Sequence, residues 1–279
     1  MSNEQTAELQ NKQTEEKEVQ ERSSPSGKIV YKAILKEGEE ELERSSSALF
    51  WSGLAAGLSM GFSMIAEGLL QAYLPDEHWR PLVAKFGYSA GFLIVILGRQ
   101  QLFTENTLTP VLPLLQRRPH ATVANVGRLW LIVLVSNLIG ALAVALVVAN
   151  TELFNLGVRE AFSEIGHKAL EPAFGNVMLR GIFAGWLIAL MVWLLPFAET
   201  ARVWVIILVT YLVGLGSFSH IIAGAVEVFT VAAMGQESWA KVFGVYIVPT
   251  LIGNVFGGVT LVAMLNHAQV VAGEGGQDI

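Results

Sequence analysis

Apolar residues along the chain gather into six charge-free runs separated by short polar stretches. The runs are Ser45–Ala66, Phe86–Gly98, Leu129–Thr151, Gly181–Ala198, Val203–Val226 and Val242–Asn266. A helix needs about 20 apolar residues to cross a bilayer, and five runs reach or approach that length. Phe86–Gly98 does not, at about 1.5 Å of rise per residue. Leu108–Leu115, beyond a polar stretch, restores the missing length, so this span reads as one helix broken in two. The pattern predicts an all-α integral membrane protein with a channel domain over 45–267. Its spans fall near 45–73, 82–116 (broken), 122–150, 173–197, 201–234 (broken) and 241–266. Residues 1–27 are too polar to form a core and are expected to be a disordered tail. Residues 28–44 mix Ile29, Val30, Ile34 and Leu42 with many charges, which fits either an amphipathic helix on the cytoplasmic face or a solvated linker. Residues 268–279 read as a short tail.

The runs also repeat. Asn137-Leu-Ile-Gly140 in span three matches Asn254-Val-Phe-Gly257 in span six, and Gly53-x-x-x-Gly57 in span one matches Gly181-x-x-x-Gly185 in span four. Spans two and five are both interrupted by polar residues, at Arg99–Thr107 and Gly214–His220. Three spans per half is an odd number, so the halves face opposite ways. An inverted repeat of two three-helix halves, with broken helices at matching places, points to a transport site at the midplane.

Composition narrows the function class. The first 48 residues hold 18 of the 42 charged residues, which leaves the remainder unlike a water-soluble globule. There is no cysteine, so disulfide, zinc-cysteine and thiol chemistry are excluded. A net charge of −6 disfavours nucleic acid as a partner. The polar N-terminus shows no signal peptide. The basic loop Gln116–His120, with Arg128 just beyond, is expected on the cytoplasmic side. Both termini are then cytoplasmic, and the net acidic loop Glu152–Pro172 faces outward.

Ionisable groups inside spans are costly and mark pathways or partners. The candidates are Glu67, Arg99, Glu105, Arg180, His220 and Glu227. Leu102-Phe103-Thr104-Glu105-Asn106-Thr107 is a dense polar cluster in an apolar region, and its freed backbone must line a cavity or be buried. Either it holds an anion or acid, or it is a loop whose polar groups satisfy one another. His220 is the titratable group of the second break and suits proton exchange with a weak acid, unless it is a satisfied core residue. Arg99 and Arg180 either attract anions or, the preferred reading, pair with Glu67, Glu105 or Glu227. An intramembrane hydrolase lacks any local pattern in its favour: Ser219 and His220 are adjacent, which seldom lets one bond the other. A non-conducting membrane scaffold stays open, and its sign would be an occluded centre with both arginines locked in ion pairs. No metal or cofactor motif is present.

The Leu102-Phe103-Thr104 stretch, Phe218-Ser219-His220 and Gly253-Asn254-Val255-Phe256-Gly257-Gly258 together resemble the formate/nitrite transporter family over residues 37–268. Arg99–Thr107 further resembles its divergent YfdC-like branch. The resemblance implies an aquaporin-like six-helix bundle, a homopentamer in the bacterial inner membrane with one pore per protomer. It implies passage of small monovalent weak-acid anions, with Thr104 and His220 facing the pore centre, beside Leu102 and Phe103. Counting from these motifs puts Tyr88 and Phe92 at one constriction and Val213 near the other.

The sequence departs from the family pattern at several places. Gln101 stands where an acid precedes LFT. Ungapped counting puts Ala169, next to Lys168, where a vestibule lysine is usual. Gly185 and Gly224 replace asparagines, and Ser219 replaces the glutamate before the central histidine. The mechanism expected from the residues is that vestibule cations concentrate the anion, while Thr104 and His220 supply hydrogen bonds and a proton so that a neutral acid crosses.

Overall fold

The computed structural model describes residues 26–117 and 120–274. Residues 1–25 of the expected tail, Arg118 and Pro119 of the basic loop, and residues 275–279 lie outside the described residues. Among the described residues the chain is helical throughout, with short connections and no strand.

Helix α1 (Gly27–Glu43) takes up the segment for which helix and linker were both open. Its buried side carries Tyr31 and Ile34. These pack with Leu108, Leu112, Val192 and Val262, which ties α1 across three other elements. Burying such a side chain contributes roughly 1.5–3 kcal/mol. The first span is α2 (Ser46–Tyr73), started by Ser45, whose side chain accepts from the Ala48 N–H. The second begins as α3 (Arg80–Leu97), which passes through a 3-10 turn at Lys85–Tyr88. It resumes after the break as α4 (Val111–Arg117). The third is α5 (His120–Asn150).

Between spans three and four, where a loop is expected, the chain forms α6 (Leu156–Leu170). The sequence carries the signals: Asn155 caps it by accepting from the Val158 N–H at 3.0 Å. Val158, Ala161, Phe162 and Ile165 recur at helical spacing and are buried. The fourth span is α7 (Phe174–Leu194), and the fifth is α8 (Arg202–Leu215) and α9 (Ala223–Ala233) either side of a break. The last, α10, starts at Trp239 and runs on to Glu274 through two π-helical stretches, Val242–Ile247 and Val259–Met264. Pro249 has no N–H to return to the Val245 carbonyl, which loosens the first of these stretches. The expected C-terminal tail is therefore helical up to Glu274. His267 Nδ1 and the Tyr31 hydroxyl lie 2.7 Å apart, which holds it to α1.

Five helices are long and apolar enough to cross a membrane. The fifth span escapes a length test because its break divides it into pieces of 14 and 11 residues. Large apolar side chains such as Trp51 (65% exposed) and Trp204 (71% exposed) cover the outer face, as lipid or a neighbouring protomer requires.

The inverted repeat is visible in the packing. Helix α2 lies along α5 as α7 lies along α10. At the closest approach a Cβ on Gly57 would overlap the Asn137 backbone, and one on Gly185 would overlap the Asn254 backbone. The helix pairs come this near only because those positions have no side chain.

Candidate functional site

Each broken helix overshoots the centre of the bundle and folds back. Helix α3 ends two residues before Arg99, which has φ +49°; α8 ends two residues before Ser217, which also has φ +49°. Arg99 and Ser217 are 118 positions apart, and these left-handed turns are the matching points of the two halves. Arg99 lines a cavity of about 620 Å³ on the α1 side of the bundle. Ser217 lines a cavity of about 290 Å³ on the α6 side.

Two asparagines hold the returning strands of chain. Asn137 donates to the carbonyls of Gly53 and Gln101 at 2.7 and 2.9 Å and accepts from the Phe103 N–H at 2.9 Å. Asn254 donates to the carbonyls of Gly181 and Ser219, both at 2.8 Å, and accepts from the Ile221 N–H at 2.8 Å. Non-helical backbone inside the membrane is satisfied by these side chains.

The two breaks bring Thr104 and His220 together. Thr104 Oγ1 lies 2.8 Å from His220 Nε2, and both residues are fully buried. His220 Nδ1 accepts from the N–H groups of Ile222 at 3.2 Å and Ala223 at 3.1 Å. A nitrogen that accepts two such bonds carries no proton, so the ring's proton sits on Nε2 and is donated to Thr104. The Thr104 hydroxyl keeps its own proton. The sequence expectation gave His220 a proton to hand over; the geometry leaves it a single proton, already directed at Thr104.

Aromatic rings stack toward this pair from the α6 side. Phe92 meets His220 edge-on with centroids 4.9 Å apart, and Tyr88 lies 5.4 Å from Phe92. Ser63 fixes the turn that carries Tyr88, donating to its carbonyl at 2.6 Å. Val213, expected near the opposite constriction, lines the same cavity as Tyr88, and the Tyr88 ring packs on neighbouring Gly214. The overshoot of α8 is the reason: a residue seven before His220 has already passed the centre. Leu102 and Phe103 are buried beside Thr104, with Phe103 against Trp130 at 5.9 Å.

The charged candidates separate into the two cavities. Glu227, Lys168 and Arg180 line the α6-side cavity, and Arg99 and Glu105 line the α1-side cavity. The preferred pairing of the arginines does not occur: among the described residues neither Arg99 nor Arg180 has an ion-pair partner. Glu67 is taken instead by Lys85, whose Nζ lies 2.5 Å from Oε1. Lys168 lines its cavity with Ala169 beside it. Each cavity is lined by four basic and four acidic side chains, so the vestibule cations that the sequence led one to expect are present and are matched by acids.

Several departures from the family pattern acquire a partner here. Gln101 receives the carboxylate of Glu41 from α1: its Nε2 donates to Glu41 Oε1 at 3.0 Å, and its Oε1 accepts from Asn106 at 2.9 Å. Thr109 donates to Glu41 Oε2 at 2.8 Å. Gly224 makes room for the Tyr246 hydroxyl, which donates to the His220 carbonyl at 3.5 Å. Sequence reasoning missed Glu41, Lys85 and Tyr246, and had Asn106 only as a member of the polar cluster 102–107. Lys85 left a signal as the charge that ends a run; Glu41 and Tyr246 need a register between elements distant in sequence.

A family model described as "Formate/nitrite transporter" matches residues 28–268. The chain is 41% identical over 241 residues to "Inner membrane protein YfdC" of Escherichia coli (strain K12), covering 86% of this chain and 78% of that protein. Two solved structures share the fold. "Pentameric formate channel with formate bound" has TM-score 0.67 at 19% identity, over 81% of this chain and 98% of its own. "FNT family ion channel" has TM-score 0.70 at 20% identity, over 85% of this chain and 97% of its own. A multi-pass helical bundle with paired breaks, its matching asparagines and its sequence profile together place the chain in the formate/nitrite transporter family.

Proposed function

We propose that the protein is a homopentameric inner-membrane channel that passes small monovalent weak-acid anions, formate- or nitrite-like, one pore per protomer. The observation that carries this reading is the buried Thr104–His220 pair, 2.8 Å apart, set between two polar cavities. Family membership and the formate channel of the same fold support the solute class and the pentamer.

A bare anion would pay a large desolvation cost at the sealed centre, where Phe92 and His220 expose no surface. A neutral acid pays far less. The anion is protonated before the constriction, and the Thr104 hydroxyl, held by His220, donates to it on the way through. His220 is thus the residue that orients Thr104. Tyr88, Phe92 and Val213 set the width on the α6 side, and Leu102 and Phe103 complete the wall near Thr104. The α1 side is cytoplasmic on this reading, as the basic loop after α4 suggests. A scaffold would show locked arginines beside its closed centre, and open Arg99 and Arg180 argue against it.

The test is formate and nitrite flux into proteoliposomes under an imposed pH gradient, beside His220→Asn. Flux is expected to rise as pH falls, and His220→Asn to lose at least about tenfold while keeping the pentamer. Wild-type flux from His220→Asn, or no flux of either acid from assembled protein, overturns the reading.

A further inference from the structure

On the α6 side the threshold of the constriction carries a charge cluster that the transport reading does not use. Lys85 pairs with Glu67, whose side chain is 2% exposed. The second oxygen of Glu67 has no hydrogen-bond partner. Glu227, 8% exposed, lines the cavity beside them and, among the described residues, makes no hydrogen bond or ion pair. Tyr88 lines the same cavity, and its ring leads through Phe92 to His220.

The Lys85 ammonium thus serves two buried carboxylates, while Arg80, Lys168 and Arg180 stand elsewhere on the cavity wall with Glu164 and Glu171. Two ionised carboxylates beside that one ammonium would leave a local negative charge in a poorly solvated place, at the mouth of a path for anions. A single shared proton removes that charge. Glu67 is committed to Lys85, so the proton belongs on Glu227, the carboxyl open to the cavity.

We propose that Glu227 is the proton donor that neutralises the anion at this threshold, an inference that rests on the weak-acid reading above. The anion enters the cavity among Lys85, Lys168 and Arg180. The Glu227 O–H bond breaks and its proton joins an oxygen of the anion. The neutral acid moves on past Tyr88. Glu227 is left as a carboxylate, stabilised by Lys85, and takes its next proton from cavity water, so one proton travels with each anion.

The groups facing Glu227 are those of every element around it. Helix α2 contributes Glu67, and α3 contributes Lys85, Tyr88 and Arg80, the last held by Asp76. Helix α6 contributes Glu164, His167 and Lys168, with Glu171 just beyond its end; α7 contributes Arg180, and α10 Tyr246. Glu164 is engaged by Gln71, and His167 by Ser163 and Glu237. Helix α5 contributes none, since Arg128 sits at its other end on the carbonyls of Leu42 and Arg44.

Two measurements on the assembled protein decide the matter. The first is the infrared carbonyl stretch of a protonated carboxyl at neutral pH. It is expected in the wild type, with one component lost in Glu227→Gln. The same component is expected to vanish in Glu67→Gln, where Lys85 is freed to pair with Glu227. The second is formate and nitrite flux in proteoliposomes against external pH. Glu227→Gln is expected to lose about tenfold or more at alkaline pH and to approach the wild type in mild acid, where the bulk supplies neutral acid. An unchanged carbonyl band in Glu227→Gln overturns the proposal, as does a loss of flux equal at every pH. Should the wild type pass neither acid, the transport reading falls, and the infrared measurement alone decides whether Glu227 holds the proton.

Discussion

Asn137 and Asn254 make the same three hydrogen bonds in opposite halves of the molecule. Each donates to a carbonyl of the neighbouring long helix and to one of the returning break, and each accepts an N–H from that break. Replacing either with alanine orphans one carbonyl and one N–H of the break, while the helical carbonyl of Gly53 or Gly181 keeps its own i+4 backbone N–H. At about 1–3 kcal/mol for each orphaned group, a loss of about 2 kcal/mol or more is expected. Thermal unfolding of Asn137→Ala and Asn254→Ala should give similar losses. A mild effect in one and a severe one in the other would show that the halves are not equally dependent on their clamps.

Thr104→Val keeps the shape of the side chain and removes the hydroxyl. His220 Nε2–H then loses its acceptor, and a passing acid loses its donor. Flux is expected to fall by about tenfold or more, since a buried hydrogen bond is worth about 1–3 kcal/mol. Thr104→Ser should retain most of it. Equal flux in Thr104→Val and wild type would remove Thr104 from the pathway.

Gly224→Ala drives a methyl group into the Tyr246 hydroxyl. Overpacking of this kind costs about 1–3 kcal/mol. Removing the hydroxyl in the Gly224→Ala/Tyr246→Phe double variant is expected to restore much of that stability. A double-mutant cycle reads the coupling directly; additive losses would show that the two positions do not interfere.

Glu41 gives a pH dependence outside the membrane. Burial raises its carboxyl above the ordinary 4.5, against the opposing hydrogen bonds from Gln101 and Thr109. A raised value in the folded state means a stabilising contribution fully present below 4.5 and lost as pH rises through the raised value. Hydrogen exchange across α1, corrected for its intrinsic rate, should therefore quicken from mild acid toward alkaline pH. Glu41→Gln should flatten that trend. An unchanged trend would assign it to another group.

Much of this was legible in the sequence. Charge-free runs report burial in lipid directly, and the polar interruptions announce backbone that cannot stay helical. Thr104 and His220 stood out because they sit in those interruptions. The asparagine pair was visible as a repeat, but its bonding was not, because a repeat says that two places are alike without saying what they touch. The arginines were misjudged for a related reason. Counting residues along a helix measures distance travelled and not the point where the chain turns back, so the sequence places Arg99 deep, whereas it marks the outer edge of a fold-back. The same error moved Val213 to the wrong side. Glu41 was illegible, since nothing within α1 says that residue 41 will meet residue 101.

The two left-handed turns at Arg99 and Ser217 have a consequence for how such a protein diverges. Each mouth of the passage is shaped by the hook of one half, while the middle is shared by both. On the proposed channel reading, substitutions in one hook are expected to alter what is admitted at one face and to leave the other face and the centre in place. Rectification is then a property that each half tunes separately, and a duplicated ancestor could acquire two unlike mouths without ever rebuilding its throat.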